Sequence, residues 1–386
     1  MDAIRLVELF AGVGAFSKAL TNLKIPHKTV AICEIDKHAI RAHEAIHGPT
    51  TNLGDISAVD SLPECDLLTY SFPCQDLSVA GLRAGMDKGT KTRSSLLWQV
   101  ERLLTDAKGR DALPEYLVME NVDAITHKAN LASFATWRAA LTSMGYTSSY
   151  QIMDASDYGV PQRRRRCFMV SRLGYKQFIF PDPCPDGRVL MDILEAGVPD
   201  KYFLSDKATL GLKVHKMRHD ARGNGFGFKI TNPAGVAGCV TAKAGWRNTD
   251  TFILDEPAPP GAGVLADCPL SGHKPRLMQV ATLDTNYERT KRVYGLGGLY
   301  CALTTNPTTM PTIMADARIR RLTPRECWEL QGMGDAYEMV TAIGLSDARL
   351  YQLAGNSIAV PVAEAIFRAM FIDCTWIGAP TLEGWA

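Results

Sequence analysis

Residues 71–75 read Ser-Phe-Pro-Cys-Gln and close the apolar run 65–71. In an open α/β sheet, ligands bind at the carboxyl ends of the strands, so a thiol on a proline turn there is placed to act as a nucleophile. A single cysteine is more often a small core residue, and the neighbours of Cys74 decide between the two readings. Glycines at 81, 85 and 89 follow it, interleaved with Arg83, Lys88, Lys91 and Arg93. A glycine-rich basic loop beside a thiol suits a lid over an anionic substrate. A second apolar run, 116–119, delivers Glu120-Asn121-Val122 to the same edge. Residues 162–166 are Gln-Arg-Arg-Arg-Arg and lead into the apolar run 166–171. Strand alternation sends Arg164 and Arg166 to one face and Arg163 and Arg165 to the other. Arginines feeding a buried strand are costly unless anions or polar groups meet them.

The first strand, 4–10, ends in Phe10-Ala11-Gly12-Val13-Gly14. Such a turn lets backbone approach a ligand closely. It is not a full G-x-G-x-x-G, because Ser17 holds the third position, and no G-K-[ST] follows to make a phosphate loop. The second strand, 29–33, ends in Cys33-Glu34-Ile35-Asp36. An acid about 20 residues after the glycine turn suits hydrogen bonds to ribose hydroxyls. Together these favour an adenosine-containing cofactor over simple packing.

Alternating elements must hold these groups. Helical spacing appears at 15–23, 37–47, 95–104 and 131–144, between strand-like runs at 4–10, 29–33, 65–71, 116–119 and 166–171. That alternation predicts an α/β fold with a parallel sheet covered by helices on both faces. With 386 residues, 46% hydrophobic and 22% charged, the chain has ordinary globular composition, which excludes disorder, collagen and coiled coil. Ten irregularly spaced cysteines without a C-x-x-C pair fit reduced thiols in a cytoplasmic protein. No secretory signal opens the sequence. The apolar stretch 360–372 contains Glu364 and Arg368 and is too short for a bilayer.

The formal net charge is +1, yet residues 161–250 carry 16 basic and 8 acidic side chains, an electrostatic footprint for a polyanion or a solvated basic surface. From about residue 180, proline and glycine become frequent and helical periodicity disappears for about 130 residues. The segments 238–241 and 300–304 echo each other as two candidate hairpins. The chain becomes helical again from Thr323. The expected division is a catalytic and cofactor-binding domain over 1–180, a smaller, irregular, mostly β domain over 181–344, and a helical segment over 345–386 returning to the first.

In order and spacing, these segments resemble the DNA (cytosine-5)-methyltransferase family over most of the chain. The resemblance rests on FAGVG at 10–14, PCQ at 73–75, ENV at 120–122, QRRRR at 162–166, RLTPRE at 321–326 and AGNS at 354–357. Ala15 departs from it, standing where the family often has another glycine; so do Arg163 and Arg165. The resemblance implies a Rossmann-like S-adenosylmethionine-dependent methyltransferase sheet. By it, Cys74 is the nucleophile, Glu120 the acid on the base, and Arg164 and Arg166 fix the substrate. S-adenosyl-L-methionine, leaving as S-adenosyl-L-homocysteine, meets Phe10, Gly12, Gly14, Phe16, Glu34, Ile35, Asp55, Ile56, Phe72, Leu96, Asn356 and Ser357. Gln75, Ser78, Arg83 and Arg93 face DNA, and 181–344 becomes the target-recognition domain. The implied partner is double-stranded DNA, bound by a monomer with no membrane and no metal, and accompanied in a restriction–modification host by a cognate endonuclease.

Three other readings compete. His43-Glu44-Ala45-Ile46-His47 fits H-E-x-x-H, the two-ligand signature of zinc proteases. No third ligand stands out, and the segment lies where a sheet-covering helix belongs. A sister branch of the resembled family methylates transfer RNA; the long variable region favours DNA. A binding-only relative is disfavoured by the presence of both Cys74 and Glu120.

Overall fold

A computed structural model describes residues 2–73, 96–221, 223, 230–242, 244, 251–255, 279–282, 292–294 and 318–378. The chain forms two compact units. The first comprises Met1–Val198, Thr231–Thr251 and Leu322–Ala386; the second comprises Pro199–Ile230 and Phe252–Arg321. Residues 181–198, 231–251 and 322–344, grouped in the sequence reading with the second domain, thus fall in the first unit.

The first unit begins as an alternating fold. Strand β1 (Ile4–Leu9) leads through the glycine turn to α1 (Ala15–Asn22), β2 (His27–Cys33) and α2 (Lys37–His47). Asp36 caps α2, its carboxylate accepting from the His38 N–H at 2.8 Å. Strand β3 (Leu67–Tyr70) is buried throughout, as a strand covered on both faces must be. Helix α3 (Leu97–Gly109) buries Leu97, Val100, Leu103, Leu104 and Ala107 on one face. Then come β4 (Tyr116–Val122), α4 (Leu131–Met144), β5 (Tyr146–Asp154), β6 (Arg165–Leu173) and the short β7 (Lys176–Phe178).

The six-stranded sheet runs β2-β1-β3-β4-β6-β5. The first four strands are parallel, but β6 lies antiparallel to both β4 and β5. The sheet is therefore mostly parallel, with one reversed strand. The ten residues between β5 and β6 contain no crossover helix, and so short a link returns the chain antiparallel. The core centres on β3, α3 and α4: Trp137 stacks edge-on against Tyr70 at 5.9 Å and donates to its hydroxyl at 3.2 Å.

The second unit holds α5 (Asp206–Asp220) and two antiparallel pairs, β8 (Phe252–Asp255) with β11 (Arg318–Arg321), and β9 (Gln279–Thr282) with β10 (Arg292–Tyr294). Small antiparallel sheets match the expected mostly β character. Helix α5 corrects the expectation that helical structure is absent here. It has no buried stripe to give periodicity; Ser205 caps it, and Lys216 pairs with Asp220 at 3.3 Å. Residues 238–241 form no hairpin, and their echo at 300–304 lies outside the described residues.

The first unit resumes with α6 (Pro324–Glu329), α7 (Tyr337–Ala342), α8 (Asp347–Asn356), α9 (Val360–Phe371) and β12 (Trp376–Gly378), which pairs with β7. Thr323 and Glu326 form a capping box at α6. Helix α9 lies against α1: Phe367 contacts Phe16 at 5.8 Å, and Asn22 donates to Glu364 at 2.6 Å. Among the described residues, no helix is long and apolar enough to cross a membrane.

Glu8 sits inside this core. One carboxylate oxygen accepts from the Ser17 N–H at 2.6 Å, and the other has no hydrogen-bond partner. Burial pushes its pKa up from 4.5 to about 7, against the opposing hydrogen bonds from Ser17. The folded chain thus holds this proton more tightly than the unfolded chain. The stabilisation is complete below about pH 4.5 and is lost as pH rises through about 7. Relative to Glu8→Gln, the parent should lose up to about 3 kcal/mol of unfolding free energy between pH 4.5 and pH 8. Urea unfolding of both proteins across that range measures it; parallel pH profiles would show that Glu8 titrates normally.

Candidate active site

The carboxyl ends of β1, β2, β3 and β4 share one sheet edge. Because β6 is reversed, its amino end arrives at that edge too. At the end of β1 the chain turns sharply: Phe10 and Gly12 take φ of 58° and 57°. Both the Phe10 and Ala11 N–H groups donate to the Cys33 carbonyl, at 2.8 and 3.3 Å. The Gly12 N–H donates to the Glu34 carboxylate at 2.9 Å. A side chain at Gly12 would meet nothing within 4 Å, so the turn faces open space. Glu34 also accepts from the N–H groups of Ile35 and Asp36, both at 2.8 Å. Asn52 holds the Glu34 backbone from both sides, at 3.1 and 3.0 Å.

Beside the acid, Ile35 is 74% exposed, an apolar side chain with no core to fill. Asp55 caps a short turn by accepting from the Ser57 N–H at 2.9 Å. This arrangement fits an adenosine-bearing cofactor: open backbone at Gly12, a carboxylate at Glu34 and an apolar face at Ile35. The other cofactor candidates are placed differently. Phe16, Ile56 and Phe72 are buried in the core, and Leu96 packs partly buried against it. Asn356 is exposed at the end of α8, and Ser357 is buried next to it.

Glu120 and Arg166 meet at this edge. Register pairs Glu120 with Phe168 and Val122 with Arg166, which makes Glu120 and Arg166 diagonal neighbours on one face. The Arg166 Nε lies 3.2 Å from the Glu120 carboxylate. On the opposite face, Asn121 donates to the Phe72 carbonyl at 2.9 Å and accepts from the Val122 N–H at 2.9 Å. That bond anchors the chain two residues before Cys74. Cys74 itself lies outside the described residues, as do Gln75, Ser78, Arg83 and Arg93.

Arg164 is 4% exposed. Its guanidinium donates to the carbonyls of Val240 at 2.9 Å and Gly355 at 3.1 Å, to that of Ser357, and to the Cys239 sulfur at 3.4 Å. Burial draws its pKa down, as does the charge of Arg166. Gln162 is buried alongside, donating to the Leu330 carbonyl at 2.7 Å and accepting from the Val240 N–H at 2.8 Å. Gln162, Asn121 and Cys239 carry no assigned role in the sequence reading. The first two sit inside the quoted motifs, which was the available signal; Cys239 offered none.

Gly355 packs against backbone. A Cβ there would lie 2.1 Å from the Thr241 carbonyl carbon and 2.2 Å from the Ala242 nitrogen. Gly355→Ala should therefore destabilise the fold by about 1–3 kcal/mol and loosen 239–242. Denaturant unfolding measures the loss; an unchanged midpoint would show that the segment moves aside freely.

The histidines of the H-E-x-x-H segment are packed into the fold. The His47 Nε2 contacts the Val13 carbonyl at 3.1 Å, and the His43 and His47 rings stack at 4.7 Å. Burial lowers the pKa of both to about 4. Among the described residues, no three His, Cys, Asp or Glu side chains group as metal ligands.

A mostly parallel sheet with a glycine turn, the Glu34 carboxylate and an acid–arginine pair at one edge fits an α/β enzyme that binds a nucleotide cofactor. The sequence model of the C-5 cytosine-specific DNA methylase family matches residues 4–372, and the chain belongs to that family. Members take their methyl group from S-adenosylmethionine. Type II methyltransferase M.NlaX of Neisseria lactamica is 29% identical over 95% of this chain and 96% of its own. The orphan methyltransferase M.SPRI of Bacillus phage SPR is 27% identical over 96% of this chain and 98% of its own. Among solved structures, the Entamoeba histolytica methyltransferase EhMeth superposes with TM-score 0.68 at 15% identity, covering 97% of this chain and 99% of that one. S. pombe Dnmt2 methyltransferase gives TM-score 0.61 at 19% identity, covering 95% and 97%. At these identities the structural likeness concerns the fold.

Proposed function

We propose that this protein methylates C5 of cytosine within a specific sequence of double-stranded DNA, acting as a monomer on a base flipped out of the duplex. The observation that carries the reading is the Glu120–Arg166 pair at 3.2 Å, on the strand whose next residue, Asn121, anchors Phe72, two residues before Cys74 in the sequence. Type II and phage orphan methyltransferases among its relatives support DNA as the substrate, and a type II context would add a cognate endonuclease.

The 10–14 turn and Glu34 would hold S-adenosylmethionine, which would supply the methyl group as a sulfonium. Phe10, Gly12 and Gly14 shape that turn, and Ile35 offers the adenine an apolar face. The Cys74 thiolate adds to C6 of cytosine, forming a carbon–sulfur bond that makes C5 an enamine carbon. Covalent addition divides one hard step into easier ones. Glu120 gives a proton or hydrogen bond to N3 as that charge develops. Arg166 fixes Glu120 and faces the base, while Arg164 positions the segments around them. After transfer, loss of the C5 proton expels the Cys74 thiolate. Flipping the base costs a few kcal/mol, which Gln75, Ser78, Arg83 and Arg93 offset from the DNA side. The second unit, with β8–β11 and α5, serves as the target-recognition domain.

Incubating the protein with S-adenosylmethionine and unmethylated plasmid should give C5-methylcytosine at one recurring motif, read by base-resolution sequencing. Cys74→Ala should abolish the signal, and Glu120→Gln should lower the rate about 10²–10⁴-fold. Transfer to transfer RNA but not to plasmid would overturn the choice of substrate.

A further inference from the structure

Four cysteines of the first unit, Cys33, Cys65, Cys167 and Cys327, are buried. Burial pushes the first three up to about 12, which makes them inert thiols. Cys239 differs. It is exposed, yet two guanidiniums converge on its sulfur: Arg164 Nη1 at 3.4 Å and Arg166 Nη2 at 3.8 Å. The elements around it are the start of β6, the end of β4 and the end of α8. They contribute Arg164, Arg166 and Glu120 as charged groups, with the carbonyls of Gly355 and Ser357. Asp154 engages the main-chain N–H of Arg164 at 3.0 Å. The Glu120 carboxylate meets Arg166, and the Cys239 sulfur lies against both guanidiniums and 3.5 Å from the Val240 carbonyl. Burial around the sulfur raises its pKa, but the charges and hydrogen bonds of Arg164 and Arg166 prevail and bring it below the ordinary thiol value.

We propose that Cys239 is a second reactive thiol of the active site, one that peroxide oxidises reversibly to switch methyl transfer off. Its effect on activity rests on the reading of Glu120 and Arg166 given above. The thiolate attacks one peroxide oxygen: an S–O bond forms, the O–O bond breaks, sulfur is oxidised to sulfenic acid and hydroxide leaves. The new oxygen lies between the two guanidinium groups and draws Arg166 from Glu120. A dithiol reductant returns the thiol and releases water.

The test compares thiols within one folded protein. The full chain is treated briefly with limiting iodoacetamide at pH 7, and labelled peptides are counted by mass spectrometry. Cys184 and Cys374, both exposed, are the internal references. Cys239 should label at least about threefold faster than either, since a thiol brought toward ambient pH gains thiolate faster than it loses nucleophilicity. Equal or slower labelling overturns the proposal, whether or not the protein methylates DNA. Separately, the parent and Cys239→Ser are exposed to hydrogen peroxide, and methyl transfer is followed relative to each protein's own starting rate. The parent should lose activity several-fold faster and recover it with dithiothreitol. Equal loss in both proteins would assign the sensitivity to another thiol and overturn the switch.

Discussion

Arg164 carries a charge into a site where only 4% of its surface reaches solvent. A buried guanidinium is costly unless its donors are met, and here three main-chain carbonyls and a sulfur meet its two terminal nitrogens, while Nε is buried without a partner. Those carbonyls come from residue 240 and, more than a hundred positions later, from residues 355 and 357. They are a loop carbonyl, one in the C-terminal turn of α8 and that of the residue that caps it. One side chain thus closes a loop and a helix end onto the start of β6. Removing it would leave several buried acceptors unpaired at once, so the position tolerates little besides arginine. Gln162, two residues earlier on the same face, repeats the device with neutral groups, binding Leu330 and Val240.

The reversal of β6 gives that clamp its chemical use. In a wholly parallel sheet the arginine-rich amino end of this strand would lie at the edge opposite Glu120. Running antiparallel to β4, it delivers Arg166 diagonally across from the acid, and the pair forms without any loop having to reach. The same β4 segment serves two purposes on its two faces. Glu120 turns toward Arg166, while Asn121 turns toward Phe72 and steadies the approach to Pro73. The Glu120–Arg166 pair and the approach to Pro73 are thereby both referred to one rigid strand.

Much of this was legible in the sequence because burial writes itself into composition. Strand β3 and most of β1 and β4 are apolar and buried because both faces of the sheet are covered, and α3 shows its buried stripe at helical spacing. The Gln-Arg-Arg-Arg-Arg run alternates as expected, with Gln162 and Arg164 buried and Arg163 and Arg165 exposed. Elements whose stability comes from elsewhere stayed hidden. Strand β5 is an edge strand with a largely polar sequence, YTSSYQIMD, and so resembles a loop. Helix α5 lacks an apolar face. The direction of β6 depends on the length of a link, not on any residue type. The place of residues 231–251 in the first unit depends on hydrogen bonds to Gln162 and Arg164, some 75 residues away, which no local pattern encodes.

The His43–His47 pair shows why spacing alone does not make a site. Two imidazoles at i and i+4 on a helix share a face in a zinc protease, and they do so here. Their surroundings reverse the meaning. Both ring nitrogens of His43 are buried without a hydrogen-bond partner, and the low pKa of both rings keeps them neutral at ordinary pH. They pack as flat, half-apolar groups beneath the glycine turn. A Cβ at Gly14 would lie 2.5 Å from the His47 Nε2 and 2.8 Å from the His43 Cδ2. With φ of 78° at Gly14, the chain can bend there only because that space belongs to the imidazoles and not to a side chain. The helix after the ribose-type acid therefore presses from below on the turn that carries Gly12. Glycine at 14 and histidine at 43 and 47 answer a single packing requirement, set by how closely the first strand's turn must approach α2.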